Sequence, residues 1–142
     1  MKLFFIAIGA FVVLVLATAF ILPVPSGDVS SNDPAVIATS GLHWHPQLEI
    51  FVKDEKVEIP QNIGLGAVHK PIHTHEDLPV IHLEFNGTVR EEDLMLGEFF
   101  KNWGKDMRSF GENMRMTVNG APNTEYGRYI MRDKDVITLQ YD

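Results

Sequence analysis

The 142-residue chain contains no cysteine. That excludes disulfides, thiolate zinc sites, blue-copper centres, a lipobox and cysteine nucleophiles. It leaves the redox compartment open, because an exported protein need not carry disulfides. Positive charge is scarce, with twelve Lys and Arg against nineteen Asp and Glu and a formal charge of −7. No basic patch is interleaved with aromatics, and an acidic surface repels a phosphate backbone, which argues against nucleic acid as a partner. Low-complexity tracts and solenoid-length repeats are missing. So are the Gly-x-Ser-x-Gly elbow, the P-loop and the dinucleotide fingerprint, and with them the commonest signatures of enzyme chemistry.

What is present begins with one long apolar run. Leu3 to Leu22 has no charged residue and one polar side chain, Thr18. At about 1.5 Å rise per residue, a helix of that length spans a hydrocarbon core of about 30 Å. Lys2 precedes the run, and Asp28 and Asp33 follow it. This asymmetry predicts the short amino end inside and the remainder outside, at the cell surface or in a periplasm. Residues 1–22 therefore read as a signal anchor. A cleaved signal peptide is the rival reading, with Ala17-Thr18-Ala19 as its small-x-small site and a secreted domain as its result. Phe20-Ile21-Leu22 continues the apolar run to Pro23 and favours the anchor. Residues 23–40, with Pro23, Pro25, Gly27 and a Ser-Ser-Asn-Asp-Pro stretch, read as an extended linker. Residues 41–142 suffice for one domain with one core.

Periodicity gives that domain an α+β character. Gln47 to Val52 alternates and predicts a strand; Lys53-Asp54-Glu55-Lys56 reads as a polar turn leading to a short strand over Val57 to Ile59. Val80 to Phe85, Met114 to Val118 and Val136 to Tyr141 are further strands, with Asn86-Gly87 and Asn119-Gly120 as turns. Leu96, Phe99, Phe100 and Trp103 fall at i, i+3, i+4 and i+7, so the segment is a helix with one apolar stripe. Asp93 is placed to cap its start, and Gly104 to end it. The expected architecture is a small mixed sheet packed on one helix, β-grasp-like, with a small barrel or cupin-like sandwich as the alternative.

All six histidines lie between residues 43 and 82. His43 and His45 are two apart, as are His73 and His75, and His82 with Glu84 forms a third such pair. On a strand, residues i and i+2 share a face, so each pair can converge on one ion at about 2.0–2.1 Å from nitrogen. Metal ligands are therefore expected at His43, His45, His73, His75, His82 and Glu84. Without thiolates, the composition suits copper(II) or zinc. Glu76, Asp77 and Glu49 are candidate ligands or orienting groups. His69, outside the spaced pairs, reads as solvent-facing. The competing readings are a polar strand face without a metal, and a pH sensor. Asn86-Gly87-Thr88 also fits an N-glycosylation acceptor, although a hairpin turn explains it equally well.

His43-Trp44-His45, Ile72-His73-Thr74-His75, Ile81-His82-Leu83-Glu84 and Leu96-Gly97-Glu98-Phe99-Phe100-x-x-Trp103-Gly104 together resemble a pattern of exported bacterial and archaeal proteins, an uncharacterised family. The resemblance covers about Leu42 to Gly104. It implies that the histidine pairs and the helix form one module, and it brings no activity with it. The family pattern places an aspartate and then a glycine after the second pair, where this chain has Glu76-Asp77-Leu78-Pro79. Cupins also use His-x-His, but with a glutamate four or five positions later and a further histidine downstream. Glu84 lies nine after His75, and no histidine follows His82.

Three functions fit these observations. A membrane-anchored metal-binding domain, delivering or buffering copper or zinc, is preferred. An accessory subunit of a membrane protein complex, with incidental histidines, is the second. A metal-dependent hydrolase with Glu76 or Glu84 as general base is the third.

Overall fold

Alternation and turn chemistry set the strands in residues 33–142, the part of the chain that the computed structural model describes. The anchor over 1–22 and most of the linker lie outside the described residues. Among the described residues, no helix is long and apolar enough to cross a membrane. In chain order the elements are β1 (Val36–Ala38), β2 (Leu42–Trp44), β3 (Gln47–Val52), β4 (Glu55–Lys56), β5 (Ile72–His73), β6 (His82–Phe85) and β7 (Val89–Arg90). Helix α1 (Leu96–Trp103), then β8 (Arg115–Val118), β9 (Ala121–Asn123) and β10 (Val136–Tyr141) complete them. Among the described residues the fold is mixed sheets with one α-helix, an α+β domain.

The larger sheet has five strands in the order β4-β3-β10-β8-β9. Its centre, β10, runs parallel to β3 and antiparallel to β8. The register pairs Ile137 with Leu48 and Leu139 with Ile50, so the buried residues of both strands share one face. The β3–β4 hairpin is tighter than the sequence suggests. Lys53 (φ 49°) and Asp54 (φ 66°) both take the left-handed conformation of a two-residue hairpin turn. Pairing therefore restarts at once, with Val52 opposite Glu55, and the expected strand over Val57–Ile59 shifts back to Glu55–Lys56.

Helix α1 buries Leu96, Phe99 and Phe100 in the same core, as its stripe predicts. Each contributes about 1.5–3 kcal/mol by burial, and Phe99→Ala, at a fully buried position, would cost about 3–5 kcal/mol. Asp93 does not cap this helix. A separate 3-10 turn, Glu91–Leu94, precedes it, and the Asp93 carboxylate accepts the Arg90 N–H of that turn (2.9 Å). The α-helix starts only after Met95. Gly104 (φ 71°) ends it, donating its N–H to the last-turn carbonyls.

Two smaller sheets were not legible. β1 pairs with β7, and Arg90 meets Asp33 at 2.8 Å, so ordered structure takes in residues before Gly41 that composition assigned to the linker. The second small sheet has the order β2-β6-β5. One of its faces carries Trp44, Leu83 and Ile72 in a cross-strand row against the core. The opposite face carries the histidines.

Candidate metal centre

The register of the three-stranded sheet assembles the site. His43 lies directly opposite Glu84, and His73 directly opposite His82. Because i and i+2 share a face, His82 and Glu84 on the central strand β6 present the same side as His43 on β2 and His73 on β5. His45 and His75 follow just past the ends of β2 and β5. Ring centroids of His45, His73 and His75 lie 5.0, 5.5 and 4.7 Å from that of His82. His43 sits 4.7 Å from His45. The five expected histidines are thus one cluster with His82 at its centre.

Two imidazoles are held in fixed tautomers. The Nδ1 of His73 lies 3.0 Å from the Lys70 carbonyl, which can only accept, so Nδ1 carries the proton and Nε2 the lone pair. The Nε2 of His82 lies 3.0 and 3.1 Å from the two oxygens of Asp77, so Nε2 donates and Nδ1 carries the lone pair. These two lone-pair nitrogens, His73 Nε2 and His82 Nδ1, are the buried side-chain polar atoms left without a hydrogen-bond partner among the described residues. His73 is only 2 % exposed, and burial is the main cause that pushes its pKa below the ordinary imidazole value. The carbonyl of Lys70 and the charge of Glu84 oppose that shift, while His75 and His69 reinforce it. The hydrogen bond from His82, ahead of any charge effect, holds the Asp77 carboxyl below its usual range. Asp77 is therefore ionised and the His73 imidazole neutral at pH 7, the forms a ligand set requires.

Glu84 stands among the bare nitrogens. One carboxylate oxygen is 3.1 Å from His43 Nε2 and 3.7 Å from His82 Nδ1, and the other is 4.0 Å from His73 Nε2. Ligand nitrogens of His43, His45 and His82 all lie within 4.8 Å of one another, as do those of His73, His75 and His82. Tetrahedral ligands about 2.0–2.1 Å from an ion are about 3.3 Å apart, so modest side-chain rotation closes either group. All these donors are nitrogen or oxygen.

The surroundings hold the cluster in place. Gly64 (φ 76°) passes so close to β5 that a Cβ there would lie 2.5 Å from the Ile72 carbonyl and 3.2 Å from His73 Cβ. Thr74, fully buried, donates to the Pro60 carbonyl and accepts from Ile63 N–H. The Asn102 amide on α1 donates to the Ile72 carbonyl (2.9 Å), tying β5 to the helix. Asp133 accepts the His45 N–H (2.9 Å). No sequence pattern pointed to Lys70, Asn102 or Asp133, because Lys70 acts through its own carbonyl and the side chains of the other two reach backbone groups of distant segments.

Other candidates fare differently. His69 is exposed, as expected, yet its ring lies 4.9 Å from His73. An open groove of about 690 Å³ beside the cluster is lined by His43, His69, Lys70, His73 and Glu84, among others. Glu49 is engaged by Lys56 at 2.7 Å on the five-stranded sheet, away from the histidine face. Glu76 is exposed and Asp77 orients His82. Comparison with protein families, curated proteins and solved structures finds no match to this chain.

Proposed function

We propose that this protein is a membrane-anchored, extracytoplasmic domain that binds a divalent transition-metal ion, copper or zinc, through His43, His45, His73, His75, His82 and Glu84. The single observation behind this reading is the pair of buried lone-pair nitrogens on His73 and His82. Leaving a buried acceptor unpaired costs about 1–3 kcal/mol. Here the opposite nitrogen of each ring is tied to a carbonyl or carboxylate, the usual support behind a metal-bound imidazole. An ion between them would satisfy both.

Binding is favoured over catalysis by the number of donors. A catalytic ion keeps an open position beside three protein ligands. Either three-histidine group here has Glu84 within reach as a fourth donor. Delivery or buffering fits a filled coordination shell better than hydrolysis does. Imidazole and carboxylate donors without a thiolate or thioether suit copper(II) and zinc rather than copper(I).

The rest of the reading follows the sequence. Residues 1–22 anchor the domain, which stands outside the cytoplasm and can meet a membrane protein partner there. The five-stranded sheet, with two hairpins flanking a central last strand parallel to the first, and with one helix between the hairpins, is β-grasp-like in order. The chain's motifs resemble the exported bacterial and archaeal pattern described above.

The test uses the full-length chain in mild detergent without a polyhistidine tag, titrated with zinc(II) and copper(II). Stoichiometric binding is expected at pH 7 and above, fading toward pH 5 as protons compete for imidazole nitrogen. His73→Ala/His75→Ala should weaken binding about 100-fold or more, about 2.7 kcal/mol. Unchanged affinity in that variant would remove both residues from the ligand set. A chain that binds neither metal but co-purifies with a membrane protein would favour the accessory-subunit reading.

A further inference from the structure

His82 belongs to both three-histidine groups, the one with His43 and His45 and the one with His73 and His75. One ring could serve two ions at once only by bridging them through both nitrogens. Its Nε2–H, however, is held by both oxygens of Asp77, at 3.0 and 3.1 Å. Only Nδ1, buried and without a partner, remains to bind. One lone pair takes one ion, so the two groups are alternatives.

They also differ in access. The His43 side chain is 63 % exposed, whereas that of His73 is 2 % exposed. Glu84 stands between them, one oxygen facing His43 and His82 and the other facing His73. Resting on the metal-binding reading above, we infer that the cluster is a two-station path for a single ion. An outer station of His43, His45 and His82 captures the ion from solvent, and an inner station of His73, His75 and His82 retains it. His82 and Glu84 stay coordinated while His43 and His45 are exchanged for His73 and His75. The ion is never stripped of ligands, and the exchange trades two neutral imidazoles for two, with no net change in charge. The net charge of −7 favours the approach of a cation to the chain.

Cobalt(II) is a suitable probe, because its visible spectrum reports the number and geometry of its ligands. The full-length chain in mild detergent is mixed with cobalt(II) in a stopped-flow spectrometer, and the stoichiometry is read by titration. The wild type should bind one ion per chain and show two successive spectra. The first forms at a rate proportional to cobalt concentration, and the second at a rate independent of it. His43→Ala/His45→Ala should abolish the first spectrum and slow loading about tenfold or more. Those positions are exposed or half-buried, so this variant tests the idea even if a substitution at buried His73 misfolds. His73→Gln/His75→Gln should stop at the first spectrum. Two ions per chain, a single spectrum in the wild type, or wild-type loading in His43→Ala/His45→Ala would each overturn the path. Absence of any cobalt, zinc or copper binding by the wild type would instead reject the metal reading beneath it.

Discussion

Two buried polar sites in this domain are treated in opposite ways. Just before β10, the Asp135 carboxylate is 6 % exposed and saturated: it accepts from Tyr129 Oη (2.7 Å), Arg132 N–H (2.8 Å) and Asn119 Nδ2 (3.0 Å). Burial and that hydrogen bond raise the Tyr129 pKa, so its hydroxyl keeps its proton and goes on donating. Asn119 in turn accepts the Val136 N–H, pinning the first residue of the central strand (2.8 Å). On the three-stranded sheet, by contrast, His73 Nε2 and His82 Nδ1 are buried and bare. A fold that gives one buried carboxylate three donors can satisfy what it must. The first site is satisfied from within; on the proposed reading, the second keeps its lone pairs for a metal ion.

The largest expected effect strikes the saturated site. Asp135→Ala removes the acceptor of three hydrogen bonds, from half-buried Tyr129 and exposed Arg132 and Asn119, and should cost about 2–4 kcal/mol in urea unfolding, while zinc affinity stays at the wild-type value. A cost below about 1 kcal/mol would erase the contrast between the two sites.

His73→Leu probes the bare site from the other side. It removes an unsatisfied nitrogen along with the bond to Lys70, so the metal-free protein should change in stability by less than about 1.5 kcal/mol. Zinc at about 100 times its Kd should stabilise the wild type by about 2.7 kcal/mol, and this gain should vanish in the variant. Calorimetric scans with and without zinc check both halves. A large loss in the metal-free variant would mean that His73 is there for packing after all.

Asp77→Asn sharpens the comparison further. Asp77 is half exposed and orients His82, so its amide variant should fold normally but bind zinc about 10–100-fold more weakly. Isothermal titration at pH 7 decides it, and wild-type affinity would demote the carboxylate to a surface contact.

The smallest effect separates the two regions by pH. Asp142, at the end of β10, accepts from Arg115 (2.7 Å) and Asn113 (3.0 Å), and the Arg115 bond is the first cause holding its pKa below 3.8. Its contribution is present above pH 3.8 and is lost as pH falls through the lower folded value. Asp142→Asn should lower metal-free stability slightly near pH 6, where the ionised carboxylate contributes, and flatten the acid limb below pH 4. An acid limb as steep as that of the wild type would assign it to some other group.

Much of the five-stranded sheet was legible because local rules agree there. Alternation located β3 and β10, and the i, i+3, i+4, i+7 stripe located α1 through Leu96, Phe99, Phe100 and Trp103. The small strands were harder. β5 is two residues long and β2 three, too short for a period to register. β4 slid because two left-handed residues, rather than four polar ones, make the turn. The donors of the site could be read from spacing, since His-x-His needs only a strand to share a face. Their partners could not: Lys70 acts through a carbonyl, and Asp77 was one of several carboxylates of equal merit.

By itself, the sequence determined which atoms are available. It supplied six imidazoles and no thiol, an excess of acidic residues, an apolar run over residues 3–22, and enough periodicity for one α+β core. Tertiary structure alone decided which imidazole nitrogens are bare. Tautomer and burial depend on what faces each ring across strands, and cross-strand register is fixed only once the apolar row of Trp44, Leu83 and Ile72 has found the core.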